Sequence, residues 1–108
     1  MLQVARILPL FAFAAFSLRA ASLDFVRDVQ PVLSEKCYHC HGPDEAARKA
    51  KLRLDVRDEA LKEREGVRAI VPGKLEESDL WVRINSKDSD EVMPPPKEGE
   101  PLTVREID

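Results

Sequence analysis

Hydrophobic residues recur at helical spacing in the segment from Asp24 to Lys36. The steps of three and four predict one helix with an apolar face formed by Phe25, Val26, Val29, Val32 and Leu33. Asp24 is suited to cap its amino end. Pro31 removes one backbone hydrogen bond, so we expect it to kink the helix or split it into two.

Two further helices are predicted in the middle of the chain. Asp55 is the expected N-cap of a helix that runs to about Glu63. A second amphipathic helix is expected from Leu75 to Ile84, with Leu80, Trp81 and Ile84 facing inward. Short polar stretches, such as 85–90, separate these segments. The pattern therefore predicts an all-α domain of short helices joined by long loops.

The last segments are a proline run and the start of a helix. Met93 is followed by Pro94, Pro95 and Pro96, which predicts a stiff, extended segment. Residues 103–106 (Thr-Val-Arg-Glu) have the form of a capping box, and Asp108 follows only two residues later. We therefore expect a truncated C-terminal helix, in the N-terminal part of a longer protein.

The start of the chain has the layout of a secretory signal peptide. Arg6 precedes an uncharged run of twelve residues from Ile7 to Leu18, and small residues follow up to Ser22. An uncleaved membrane anchor is the alternative, but the run is well short of the roughly 20 residues of a spanning helix. We expect residues 1–22 to be removed, and residues 23–108 to form one domain in the periplasm or another extracytoplasmic compartment.

The run Cys37-Tyr38-His39-Cys40-His41 carries the chemistry. Residues three apart on a helical turn lie on one face, so Cys37 and Cys40 can present two thiols to the two vinyl groups of one haem. His41 follows directly and can give a ring nitrogen to the iron. A cysteine pair followed at once by histidine is the pattern of c-type haem attachment.

Other uses of this run remain open. Two cysteines at this spacing could form a disulfide or a thioredoxin-like redox pair, although no βαβ pattern surrounds them. Zinc could take Cys37, Cys40 and either His41 or His39, but no second Cys/His pair completes four ligands. His39 is otherwise expected to be an exposed polar residue.

Met93 is the candidate sixth iron ligand. It is the only methionine after residue 22, and the proline run beside it would hold a weak thioether bond in place. Met93 could instead be core filler. In that case the sixth position of the iron would be taken by a lysine or left open, as in a peroxidase-like or gas-sensing domain.

Composition is consistent with a haem domain. Without residues 1–22, 15 basic residues face 20 acidic ones, a formal charge of −5, which argues against nucleic acid or an anionic membrane as partner. Only Phe25, Tyr38 and Trp81 remain as aromatic residues. A small domain needs bulky apolar groups in its core, and a haem macrocycle would supply one.

The chain resembles the Planctomycete-type cytochrome c domain. The similarity lies in the CxxCH run with Gly42-Pro43-Asp44, in Leu52-Arg53-Leu54-Asp55 and in Met93-Pro94-Pro95-Pro96. It implies a class I-like cytochrome c fold with His41 proximal and Met93 distal. It also implies that the domain heads a longer chain, although this sequence ends where the family's last helix should begin.

These observations together predict an electron-transfer module rather than an enzyme. We expect one covalent haem c and a redox partner, either a separate protein or a fused downstream domain. Arg53, Trp81 and Arg83 are candidate contacts for the haem propionates, since a buried carboxylate needs charge-assisted donors.

Overall fold

The computed structural model describes residues 14, 15, 17 and 21–108. The predicted signal peptide, residues 1–22, lies outside the described residues apart from positions 14, 15, 17, 21 and 22. Among the described residues, no helix has the length and apolar character needed to cross a membrane.

The first helical segment is divided as predicted. A π-helical turn, Phe25–Val29, leads into helix α1, Gln30–Lys36. The Asp24 carboxylate caps the turn by accepting a hydrogen bond from the Arg27 N–H at 2.8 Å. Pro31 lies in the first turn of α1, where a missing N–H leaves no hydrogen bond unmade. The expected apolar face is not buried at its start, since Phe25 and Val26 are exposed.

The second helix is shorter than predicted and is capped differently. Helix α2 spans Arg57–Ala60, with Val56 at the N-cap position. Asp55 was the predicted cap, but its carboxylate accepts two hydrogen bonds from the Arg53 guanidinium, at 2.7 and 3.1 Å. A bidentate ion pair is stronger than a single bond to a backbone N–H, so Asp55 is drawn away from the helix end.

A small hairpin follows α2 and corrects the all-α prediction. Strand β1, Glu63–Arg64, pairs antiparallel with strand β2, Val67–Arg68. The two turn residues, Glu65 and Gly66, both have positive φ, 53° and 81°, as tight two-residue hairpins require. The domain therefore consists of short helices with a little sheet.

The predicted helix over 75–84 forms in two pieces. A 3₁₀ turn, Leu75–Glu77, precedes helix α3, Asp79–Ile84. Buried Ser78 separates them, and its hydroxyl accepts a hydrogen bond from the Val71 N–H at 2.9 Å and lies 2.9 Å from the Lys74 carbonyl oxygen. The Leu80 N–H donates to the Ala69 carbonyl at 3.0 Å, which fixes α3 against the segment after β2.

The capping box predicted near the end of the chain is present. Helix α4 spans Val104–Ile107, and the Thr103 hydroxyl accepts from the Glu106 N–H at 3.2 Å. The Glu106 carboxylate accepts in return from the Thr103 N–H.

Few side chains form the core. Among the described hydrophobic residues, Leu54, Ala60 and Ala69 are buried. Partly buried side chains pack against them: Cys37, Tyr38, Leu52, Ile70 and Leu80. No large described side chain is fully buried. So small an apolar interior provides little stability by itself.

Ser78 is expected to contribute strongly to the position of α3. Ser78→Ala leaves the half-buried Val71 N–H without this acceptor, so the free energy of unfolding of the haem-loaded protein should fall by about 1–3 kcal/mol. Denaturant titration followed by circular dichroism measures this. Ser34→Ala, at an exposed helical position, is the control and should change stability by no more than about 0.5 kcal/mol. Equal stabilities for both variants would contradict the assignment.

Candidate haem site

The cysteine run forms one closed turn at the end of α1. Cys37 is the C-cap of that helix, and its carbonyl accepts from the Cys40 N–H at 3.2 Å and the His41 N–H at 2.9 Å. These two bonds hold Cys37, Cys40 and His41 in the helical spacing that the sequence predicted.

Gly42 allows this turn to close. The residue is buried, and a Cβ placed on it would lie much closer to the Tyr38 carbonyl oxygen than the van der Waals contact distance of carbon and oxygen allows. The Tyr38 carbonyl belongs to the backbone of the turn itself, so it cannot move aside without opening the turn.

Gly42→Ala should therefore disturb haem attachment. We expect a large fall in the yield of haem-loaded protein, because the clash separates the cysteines from His41. Haem content per polypeptide after export measures it. Gly99→Ala is the matched control, since a Cβ there has no neighbour within 4 Å. Normal haem content in Gly42→Ala would show that the turn tolerates the methyl group.

His41 is oriented by the loop that follows it. Its Nδ1 lies 3.2 Å from the Lys49 carbonyl oxygen, and the Lys49 N–H donates to the Cys40 carbonyl at 2.7 Å. With the carbonyl as acceptor, Nδ1 carries the proton and Nε2 keeps its lone pair for a metal. Burial lowers the pKa of His41, which also favours the neutral ring.

A cavity of about 280 Å³ brings together three of the four residues that were predicted to bind the haem. Cys37, His41 and Met93 all line it. Most of the remaining wall is apolar, and is formed by Ala50, Leu52, Leu54, Ala69, Leu80 and Ile84, with Asp79 and Arg83 at the polar part. A thiol, an imidazole and a thioether on an apolar wall are the donors and the surroundings that haem c requires, so these residues fit the group.

The other predicted residues lie elsewhere. Cys40 is half-buried on the same turn but is not part of the cavity wall, and His39 is exposed, as expected. Among the candidate propionate contacts, Arg83 lines the cavity, whereas Arg53 is paired with Asp55. Trp81 is half-buried, as Leu80 and Ile84 are, but it lines a different depression from these two residues.

That depression is larger, about 570 Å³, but carries no matching chemistry. Its walls are formed by residues 73–77 and Trp81, which offer no thiol, imidazole or thioether. Donor chemistry decides between the two cavities, and it favours the smaller one.

The geometry gives little support to the other two uses of the cysteine run, a redox pair and a zinc site. Burial raises the pKa of the Cys37 thiol, whereas a reactive redox cysteine needs a lowered one. Within the described part of the chain, no cluster of three or more His, Cys, Asp or Glu side chains could hold a metal ion, as a zinc site would require.

Comparison with known proteins gives the family. Residues 37–97, more than half of the chain, match the family described as Planctomycete cytochrome C. The chain belongs to this family. The match begins at the first cysteine and extends past Met93, so the cytochrome match includes the whole cavity wall. Neither the curated proteins nor the solved structures provide a match. Membership of a cytochrome c family implies covalent haem and electron transfer.

Three features of this cytochrome site were missed from the sequence. The close approach of Gly42 to the Tyr38 carbonyl was not predicted, and the Lys49 carbonyl carries no side-chain signal at all. The third is that Met93 is joined to α3, because its N–H donates to the Arg83 carbonyl at 3.2 Å. Such backbone contacts depend on the folded path of the loop rather than on residue type.

Proposed function

We propose that this domain transfers single electrons through one haem c, bound covalently by Cys37 and Cys40. His41 and Met93 are the proposed axial ligands. The observation that carries the proposal is the single cavity shared by Cys37, His41 and Met93 within a cytochrome c family domain. Bound haem would supply the change between ferric and ferrous iron.

The chain's own residues would bind, orient and shield this group. The turn over 37–41 would offer the Cys37 thiol on the cavity wall and the Cys40 thiol beside it, and the Lys49 carbonyl would hold the His41 ring with Nε2 unprotonated. The leucine-rich wall excludes water and lowers the local dielectric constant. A thioether ligand from Met93 would favour the reduced state and raise the reduction potential.

The proposal extends to the setting of the domain. We infer that residues 1–22 direct export, that residues 23–108 form the haem domain, and that no substrate chemistry occurs in it. The partner would be another redox protein or a downstream region of the same polypeptide. The acidic composition favours a partner with a basic docking surface.

A redox titration tests this function. The exported, haem-loaded protein should titrate reversibly as a one-electron couple, with about 59 mV per tenfold change in the ratio of oxidised to reduced protein. Reduced protein should not bind carbon monoxide, because both axial positions are occupied. Rapid carbon monoxide binding and steady peroxide turnover would instead favour a domain with an open sixth site.

A further inference from the structure

The loop that carries Met93 is closed on a single residue of α3. The Arg83 carbonyl accepts from the Ser86 N–H at 3.1 Å and from the Met93 N–H at 3.2 Å. The loop over 86–93 therefore starts and ends at one oxygen atom. Met93 lines the haem cavity directly after this second bond.

The Arg83 side chain adds a contact inside the same loop. Its Nη1 donates to the Glu91 carbonyl at 3.5 Å, two residues before Met93. Its Nε donates to the Asp79 carboxylate at 2.8 Å, one helical turn earlier. Asp79 thus fixes the guanidinium on the helix, and the guanidinium reaches the loop.

The loop has internal bonds of its own that let it move as a unit. The Asp88 carbonyl accepts from the Glu91 N–H at 3.1 Å and from the Val92 N–H at 2.9 Å. The Asp90 N–H donates to the Asp88 carboxylate at 2.9 Å. Because these turns are local, the hydrogen bonds that join the loop to α3 are, among the described residues, those made by Arg83.

We propose that Arg83, held by Asp79, is a positioning residue that keeps the Met93 thioether in the haem cavity. The inference rests on the proposed ligation of iron by Met93. Weakening the guanidinium contact should raise the frequency with which the loop opens and the thioether leaves. Arg83 also lines the cavity that Met93 lines, so the two side chains share the proposed haem site.

Binding of imidazole to the ferric protein measures loop opening. At saturating imidazole the rate is limited by departure of Met93, so Arg83→Leu should bind it about fivefold faster, the factor expected for one lost hydrogen bond. Asp79→Asn should raise the rate by less. Arg68→Leu, at an exposed arginine whose ion pair is with Glu63 rather than with the loop, is the control and should leave the rate unchanged.

A second Arg83 variant and a second measurement keep the proposal testable if the first variant folds poorly. Arg83→Gln keeps a hydrogen-bond donor but lacks the planar fork that reaches both Asp79 and Glu91, so it should also bind imidazole faster. Amide hydrogen exchange at Met93 should speed up in the Arg83 variants, whereas exchange at Leu80, bonded to Ala69, should not. In a Met93→Ala background the Arg83 effect on imidazole binding should vanish.

Unchanged saturating rates and unchanged Met93 exchange in both Arg83 variants would overturn the proposal. So would a shift in reduction potential with no change in these rates, which would assign Arg83 to a haem propionate instead. A wild-type ferric spectrum that does not change in Met93→Ala is a different failure, since it removes the thioether ligand itself.

Discussion

Met93→Ala is expected to convert the ferric protein from a low-spin to a high-spin haem. The weak absorption band near the red edge of the ferric spectrum, which a thioether ligand produces, should disappear. The reduction potential should fall by on the order of 0.1 V, within the roughly 0.8 V that axial ligands span. The reason is that Met93 is the only thioether on the cavity wall and stabilises ferrous iron.

Val92→Ala separates loss of the ligand from disturbance of the loop. Val92 is the half-buried neighbour of Met93 and does not line the cavity. It should keep the red-edge band and a potential close to that of the wild type. Carbon monoxide should bind reduced Met93→Ala and leave reduced Val92→Ala unaffected. An identical band in the wild type and Met93→Ala would assign the sixth position to another group.

Cys37→Ser with Cys40→Ser is expected to cost the domain its fold as well as its haem. Among the described residues, the buried hydrophobic core consists of Leu54, Ala60 and Ala69. Cys37 and Leu80, which line the haem cavity, pack against this core. Without the macrocycle the leucine-rich wall is exposed to water. The free energy of unfolding should then fall close to zero.

Thermal and denaturant unfolding followed by circular dichroism measure this effect. The double variant should show a broad, non-cooperative change, whereas each single variant should retain one thioether bond and a cooperative transition. Each single variant should keep its haem through extraction with acidified acetone, whereas the double variant should hold no haem that survives this treatment. Cooperative unfolding of a haem-free double variant would show that the apolar core is sufficient.

Local signals in the sequence predicted the helix ends well where one residue controls them. Asp24 caps the first turn, Pro31 lies where its missing N–H does no harm, and Thr103 with Glu106 forms the capping box. Each of these depends on residues within one helical turn. The predicted helix cap at Asp55 was wrong, because Arg53 two residues earlier is a stronger partner for its carboxylate than a backbone N–H is.

The candidate site residues could be named from the sequence, but the backbone groups that contact them could not. Spacing alone identified Cys37, Cys40 and His41 as candidates, and elimination identified Met93. The hairpin at Gly66 was missed because two-residue strands carry no alternation pattern to detect. The role of the Arg83 carbonyl was equally hidden, since a backbone acceptor is the same in every residue.

The mass of the intact exported protein tests the central claim most directly. The wild-type chain, produced in a host that matures c-type cytochromes, should begin at Leu23 and weigh one haem more than the polypeptide from residue 23 to 108. The added mass should survive denaturation, since thioether bonds are covalent, and should be absent from the Cys37→Ser/Cys40→Ser variant. A wild-type chain at the bare polypeptide mass would contradict covalent haem attachment.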